Sequence, residues 1–298
     1  MSATPLSETS SPVPMLQPGR AAFWVFWLIV AAGAHAAVTN LSFGWRVMPV
    51  SFAAGLIAWT LYTLPVLWLF RRLDLFRGQS ASPFVMAFLW GGLAATYLAI
   101  AGNAAVFGIL AKLVEPGFVW GAAIAGPSNE EPLKLIGVIL LVLIAPARFR
   151  SIAVVMALGA MVGLGFQVVE DFFYTVHGAL NHPNANQIEP VAQNMILRGL
   201  FSGLWSHTAY TTVASFGVGY FVARPGEALA RRVLVAAAAL FVAWALHAFW
   251  NSPLLGSLLE GAGAPGIAAF FLLKGVPTLI AVVLLWRVAR RESARGQN

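Results

Sequence analysis

Long apolar stretches, separated by short segments that contain arginine, run through most of this chain. Eight of them approach or exceed the length of about 18 residues that a helix needs to cross a bilayer. These stretches are residues 21–39, 48–70, 83–105, 129–146, 151–175, 196–222, 231–250 and 266–288. Soluble domains carry about 25% charged residues, whereas this chain carries 10%, against 59% hydrophobic residues. The sequence therefore predicts an all-α fold, a polytopic transmembrane bundle of about eight helices.

The two ends of the chain differ from its apolar interior. Residues 1–20 are rich in Ser, Thr and Pro, which predicts a disordered cytoplasmic tail. Residues 21–290 are expected to form a single transmembrane domain, and residues 291–298 a second cytoplasmic tail. Ala34-His35-Ala36 could imitate a signal-peptidase site after the first apolar stretch. The long preceding tail, which carries a single arginine, favours retention of that stretch.

Arginine is concentrated in alternate connecting segments. One set of segments contains Arg71, Arg72, Arg77, Arg148, Arg150, Arg224, Arg231, Arg232, Arg287, Arg290, Arg291 and Arg295. The other set contains only Arg46 and Lys112 as clear loop cations. By the positive-inside rule, the arginine-rich set is cytoplasmic. We therefore expect a multi-pass protein of the cell membrane, of the bacterial plasma-membrane kind, with both termini in the cytoplasm. The net charge of +7 then reflects topology, and no nucleic-acid partner is expected.

Ionisable residues within the predicted membrane helices fall near the non-cytoplasmic ends of those helices. A charged side chain in a bilayer costs several kcal/mol and usually marks a function. Helices four to seven of the prediction carry the candidate catalytic residues Glu130, Glu131, Lys134, Glu170, His207, His247 and Asn251. With the predicted topology, four separate segments bring these polar groups to one leaflet.

A spacing of four residues places the members of each motif on one helix face. The motifs are Glu130 with Lys134, Phe166 with Glu170 and Tyr174, and His247 with Asn251. Each helix can thus present its polar group to a common interior while its opposite face meets lipid.

These residue types suit hydrolysis without a serine or cysteine nucleophile. The chain contains no cysteine, which excludes disulfides and thiolate zinc sites. His207 and His247 with Glu170 could bind a metal such as zinc through nitrogen and oxygen. Alternatively, a carboxylate could deprotonate water directly. Two adjacent glutamates repel each other, which suits one of them to act as a general base. Asn251 could stabilise an oxyanion.

Each of these residues also has a structural explanation. Glu130 and Glu131 could cap the start of a helix, where acids are favourable and Pro132 fits the first turn. Lys134 could extend towards the membrane interface. A lone buried histidine such as His207 is usually a satisfied core residue. The shared leaflet of all these groups favours the functional interpretation.

These segments resemble the PrsW family of intramembrane proteases, which is related to the CAAX prenyl endopeptidases. The family pattern Glu-Glu-x-x-Lys matches residues 130–134, and His-x-x-x-Asn matches residues 247–251. The pattern Phe-x-x-x-Glu-Asn-x-x-Tyr matches residues 166–174, with Asp171 where asparagine is common. A histidine in helix six matches His207. CAAX-type enzymes usually place Arg one position later after the paired glutamates and a histidine in the second motif, so this pattern favours PrsW.

The resemblance implies an intramembrane endopeptidase that acts near the extracytoplasmic face, with residues 21–290 as the catalytic domain. Its partners would be the lipid bilayer and a membrane-anchored protein substrate. In known PrsW-type action that substrate is an anti-sigma factor, whose cleavage starts a stress response. Zinc stays open, because the family is classed among metallopeptidases while a metal-free glutamate mechanism also fits.

Two other functions remain open. A proton-coupled transporter could use membrane glutamates and histidines as a relay, but it would be expected to show a midplane site and inverted repeats, and the sequence shows neither. A non-catalytic scaffold or immunity protein of the same fold would be expected to lack motif residues that are present here. The roles of Asp171, Tyr174 and Lys274 are unassigned.

Overall fold

A computed structural model describes residues 14–76, 78–114, 118–184, 186–256, 261 and 263–295. This described part is almost entirely helical and contains no β-strand. Its α-helices are α1 (Ala21–Val47), α2 (Pro49–Arg72), α3 (Ser82–Leu89), α4 (Thr96–Leu113), α5 (Gly121–Ile144), α6 (Ile152–Leu180), α7 (Glu189–Asn194), α8 (His207–Ala223), α9 (Leu229–Asn251) and α10 (Gly263–Arg295). The predicted all-α helical bundle is confirmed.

Six helical stretches are long and apolar enough to cross a membrane. They are α1, α2, the stretch formed by α3 and α4 together, α6, α9 and α10. Two further helices occupy predicted membrane positions without meeting that standard. Helix α5 carries three charged residues in every 18-residue stretch, and α8 is only 17 residues long. The protein is therefore multi-pass, and the predicted count of eight crossings remains approximate.

Helix α6 forms the centre of the bundle and is the most buried of the long apolar helices. Small residues let its neighbours approach closely. Gly163 lies against the backbone of His207 and Thr208, where any Cβ atom would overlap both residues. Gly159 lies against Ser215 of α8 in the same way. This close packing sets the start of α8 beside the middle of α6.

A π-helical turn at Trp90–Ala95 joins α3 to α4. Gly91 and Gly92 within this turn lie against the backbone of α6, at Val162 and Gly165. The turn thereby brings α4 alongside α5 and α6, and α4 supplies one wall of the site described below.

Helix α5 begins at Gly121, eight residues before the predicted start at residue 129. Glu130 and Glu131 therefore lie in the third turn of the helix, and the alternative that they cap its N-terminus is wrong. Pro132 also lies inside the helix instead of in its first turn. Since a membrane helix must satisfy its own backbone groups, the small and apolar residues from Gly121 onwards continue the helix.

The predicted helix at 196–222 is interrupted. Residues Met195–Phe201 form a π-helical segment that continues from α7, and Gly203–Trp205 form a single 3₁₀ turn. Helix α8 starts afresh at His207, whose backbone N–H donates to Ser206 Oγ (2.6 Å). His207 is thus the first residue of a helix instead of lying two or three turns inside one.

The predicted tails are only partly described. Residues 1–13 and 296–298 lie outside the described residues, as does Arg77 of the predicted topology. Within the described part, Met15 is buried in the core. Helix α10 continues to Arg295, so it includes most of the second predicted tail.

Candidate active site

Three helices bring the polar side chains of four residues into one buried cluster. Glu130 and Glu131 come from α5, His207 from α8 and His247 from α9, and each is at most 6% exposed. One potential ligand atom from each of these four residues lies within 4.8 Å of the others. The structure therefore brings together residues that are more than one hundred positions apart in the chain.

Lys134 lies at the centre of this cluster and is fully buried. Its Nζ lies 2.6 Å from Glu131 Oε1 and 3.9 Å from Glu130 Oε2. The same ammonium lies 3.1 Å from His207 Nδ1 and 4.6 Å from the centroid of the Phe166 ring. Lys134 does not extend to the membrane interface, so that alternative is wrong. It supplies positive charge to two buried carboxylates.

The hydrogen bonds of His247 fix its tautomer. Its Nδ1 lies 2.7 Å from Glu131 Oε1, and a carboxylate only accepts, so Nδ1 carries the proton. Its Nε2 faces Glu130 Oε2 at 3.8 Å, beyond hydrogen-bond distance. The ring stacks on Tyr210, with centroids 4.8 Å apart. His247 therefore presents an accepting nitrogen beside Glu130.

His207 is held from both sides. A charged Lys134 can only donate, so Nδ1 of His207 accepts from it. Nε2 then carries the proton and lies 3.0 Å from Glu170 Oε2. Glu130 Oε2 lies 3.5 Å from the same Nδ1. Both nitrogens of His207 are therefore engaged, whereas His247 keeps one open.

Two carboxylate oxygens have no hydrogen-bond partner among the described residues, Glu130 Oε2 and Glu131 Oε2. A buried polar atom without a partner is costly. The other oxygen of Glu130 is satisfied, since Asn103 Nδ2 donates to Oε1 at 2.9 Å. The cluster therefore contains two carboxylate oxygens that can still accept a hydrogen bond, a feature expected of a reactive site.

Sequence reasoning missed Arg198, which lies in the π-helical segment before the break. Its guanidinium donates to Glu170 Oε2 at 2.6 Å and, by a very short contact, to Asp171 Oδ1. It also lies over the Tyr174 ring, 4.1 Å from the centroid. Asp171 and Tyr174, which had no assigned role, are thus partners of this arginine. The available signal was an isolated charge within a predicted membrane helix.

Asn103 of α4 was missed as well, because it lies outside all four motifs. Its available signal was weaker, a single amide in an otherwise apolar helix.

A cavity of about 130 Å³ opens beside the cluster. Its walls include Glu130, Glu170, His207, His247 and Asn251. The other two predicted residues of α5, Glu131 and Lys134, do not line the cavity. A water molecule in the liquid occupies about 30 Å³, so the cavity has room for several. Asn251 also lines the cavity. Its Nδ2 makes a long hydrogen bond, 3.4 Å, to the carbonyl oxygen of Ala122.

Lys274 belongs to a different environment. Its buried Nζ donates to the carbonyl oxygens of Trp250 (2.9 Å) and Ser252 (2.6 Å) at the end of α9. Cations are favourable at the C-terminus of a helix. Lys274 therefore caps α9 directly beyond the histidine and asparagine that α9 contributes, and its charge is balanced by carbonyl groups.

A family model described as the PrsW family intramembrane metalloprotease matches residues 79–286, more than half of the chain. The chain belongs to the PrsW family. The match begins just before α3 and ends within α10, so it includes every residue of the cluster and of the cavity wall described above. No curated protein and no solved structure matches this chain significantly. As a PrsW member with several apolar membrane helices, the protein is an intramembrane protease.

The cluster fits the metal that the PrsW description implies. Glu130, Glu131, His207 and His247 offer the nitrogen and oxygen ligands that zinc prefers. Two of their carboxylate oxygens have no partner in the described part of the chain. Glu170, predicted as a ligand, lies outside this group of four, and its Oε2 instead bonds to a histidine and an arginine.

Proposed function

We propose that this protein is an intramembrane endopeptidase in which Glu130 activates the water that attacks the substrate peptide bond. One observation carries the proposal. Glu130 lines the cavity, and its buried Oε2 has no hydrogen-bond partner among the described residues. It lies 3.5 Å and 3.8 Å from nitrogens of two histidines. A general base needs such a free oxygen within reach of one water molecule.

The water is positioned by two acceptors. Glu130 Oε2 and His247 Nε2 are 3.8 Å apart, close enough for one water to donate to both. Its oxygen lone pair then faces the cavity, where a substrate carbonyl can be attacked. Glu130 takes the proton as the carbon–oxygen bond forms, and it returns that proton to the amide nitrogen as the carbon–nitrogen bond breaks.

The remaining residues hold the charges in place. Glu131 accepts from Nδ1–H of His247 and so keeps the Nε2 lone pair directed at the water. Lys134 balances the negative charge of the two glutamates. Asn251 carries an amide donor on the cavity wall whose present bond is long, so it can donate to a developing oxyanion.

A metal ion at this cluster would be held by Glu130, Glu131, His207 and His247. When bound, an ion such as zinc would polarise the attacking water. Glu130 and His247 would then be engaged as ligands, so the water contacts described above belong to the metal-free site.

The substrate we propose is a membrane-anchored protein with one span, of the anti-sigma-factor type. Support comes from PrsW membership and from the depth of the site within the helical bundle. We also propose that both termini lie in the cytoplasm, because the arginine-rich segments would then obey the positive-inside rule. On that topology the cavity opens near the extracytoplasmic side, where the juxtamembrane segment of such a substrate would lie.

The test uses the purified protein in detergent with a panel of single-span membrane proteins, each carrying an extracytoplasmic juxtamembrane segment. Wild type should cleave at least one, and Glu130→Gln should lower the rate of cleavage by about 10³-fold or more. Glu189→Gln is the matched control, because Glu189 is an exposed glutamate that contacts His182 and does not line the cavity. Metal content and the effect of a chelator are measured on the same samples.

Wild-type-like cleavage by Glu130→Gln would overturn the proposed mechanism. Absence of any cleavage by wild type, together with proton-dependent solute flux in proteoliposomes, would favour the transporter alternative.

A further inference from the structure

Asn103 makes a direct contact with the proposed base from a helix that none of the four motifs includes. Its Nδ2 lies 2.9 Å from Glu130 Oε1. Because an ionised carboxylate only accepts, the atom that faces it must be the amide nitrogen. Asn103 also contributes to the wall of the cavity. It therefore contacts the reactive carboxylate on the substrate side of the cluster.

A second, weaker hydrogen bond engages the oxygen of this amide. Asn129 Nδ2 donates to Asn103 Oδ1 at 3.3 Å and to the carbonyl of Ala125 at 3.0 Å. Helices α4 and α5 approach closely here, since a Cβ atom on Gly102 would lie only 3.0 Å from the Asn129 side chain. The short asparagine can reach Glu130 because the two helices are this close.

The contact fixes the rotation of the Glu130 carboxylate. The terminal torsion of a glutamate is broad, so an unrestrained carboxylate could rotate out of the plane that directs one oxygen towards Lys134 and the histidines. Asn103 engages Oε1, and Oε2 is left without a partner in the described structure. A neutral amide does this without adding a positive charge that would weaken the base.

We propose that Asn103 is a positioning residue for peptide hydrolysis, which holds Glu130 Oε1 so that Oε2 stays directed at the water. This inference rests on the proposed function of Glu130. The competing explanation is that Asn103 only links α4 to α5. That explanation predicts an effect on stability alone, because a link between helices does not change the reactive step.

The experiment compares Asn103→Leu with Asn129→Leu, using the single-span protein that wild type cleaves best. Both variants break the bond between the two asparagines, but only the first removes the donor to Glu130. Asn103→Leu should lower kcat about 10- to 100-fold with little change in KM, as expected for loss of an orienting partner. Asn129→Leu should stay within about threefold of wild type, on the scale of one weak neutral hydrogen bond.

Two further variants separate positioning from structure. In the Glu130→Gln background, Asn103→Leu should cause no additional loss of activity, because the group that it positions is already gone. Asn103→Gln keeps an amide donor and should recover part of the activity that Asn103→Leu loses. Thermal unfolding in detergent should be similar for the Asn103→Leu and Asn129→Leu variants.

The outcomes distinguish the two proposals. If Glu130→Gln is inactive while Asn103→Leu keeps wild-type kcat, the positioning role is overturned and the base survives. Equal losses of kcat and of unfolding temperature in Asn103→Leu and Asn129→Leu would also overturn it. If Glu130→Gln is active, or if wild type cleaves no protein in the panel, the proposed function fails and the role of Asn103 fails with it.

Discussion

Two pairs of adjacent acids each contribute one residue to the wall of the same cavity, and their hydrogen-bond partners differ greatly. The α5 pair is Glu130–Glu131, and the α6 pair is Glu170–Asp171. Each has one dedicated cation, Lys134 for the α5 pair and Arg198 for the α6 pair. By composition alone the two pairs look equivalent.

The shape of the cation accounts for the difference. Arg198 presents a planar fork that donates to both acids of the α6 pair at once. Lys134 is a point charge, so it lies within 2.6 Å of one acid of the α5 pair and 3.9 Å from the other. Both acids of the α5 pair keep an oxygen without a partner in the described structure. The α6 pair is therefore suited to holding structure, and the α5 pair to reaction.

The largest expected effect comes from substituting one acid of each pair and comparing the losses of activity. Glu130→Gln should lower kcat by about 10³-fold or more, within the range for loss of a general base. Glu170→Gln should lower it by only about 10- to 100-fold, because Glu170 acts by orienting His207. Both are measured as cleavage of one single-span substrate at saturating concentration. Equal losses in the two variants would show that the pairs do not differ in this way.

The second test removes the arginine that satisfies the α6 pair. Arg198→Met leaves two acids without their partner and should lower the free energy of unfolding by about 3–5 kcal/mol. Adding Asp171→Asn removes one uncompensated charge and should restore part of that loss. Thermal unfolding in detergent measures both variants. No recovery in the double variant would argue that Arg198 stabilises through packing on Tyr174 instead of through charge.

The smallest effect concerns a buried cation that pairs with no acid in the described part of the chain. Lys274→Met removes two hydrogen bonds to carbonyl oxygens at the end of α9 and should destabilise the protein by about 1–3 kcal/mol. Cleavage per folded molecule should change little, because Lys274 does not contact the α5 pair. A loss of kcat as large as that of Glu170→Gln would contradict this separation of roles.

Spacing in the sequence could predict only neighbours on the same helix. Lys134 follows the α5 pair by three and four residues, so its partnership was predictable from helical geometry. The order of the four motifs, together with the predicted topology, also indicated that their residues would meet. Those residues do meet in one cluster, and their catalytic roles stay predictions.

Partnerships across helices left no such pattern. Asn103 and Arg198 bond to acids 27 and 28 residues away on other elements, and no periodicity connects them. The start of α5 could not be predicted correctly either, because Pro132 and the neighbouring acids have the composition of a first helical turn. The bilayer overrides that local preference, since any unpaired backbone there would be costly.

The break at Ser202–Ser206 resets the angular phase of the chain between Arg198 and His207. Successive residues of an α-helix advance by about 100°, so nine residues of unbroken helix would turn these two side chains to opposite azimuths. Both nevertheless face one cavity and share Glu170 as a partner. The interruption therefore sets the relative rotation of the two helical segments. Adding or deleting a single residue within it would turn one of these side chains away from the other.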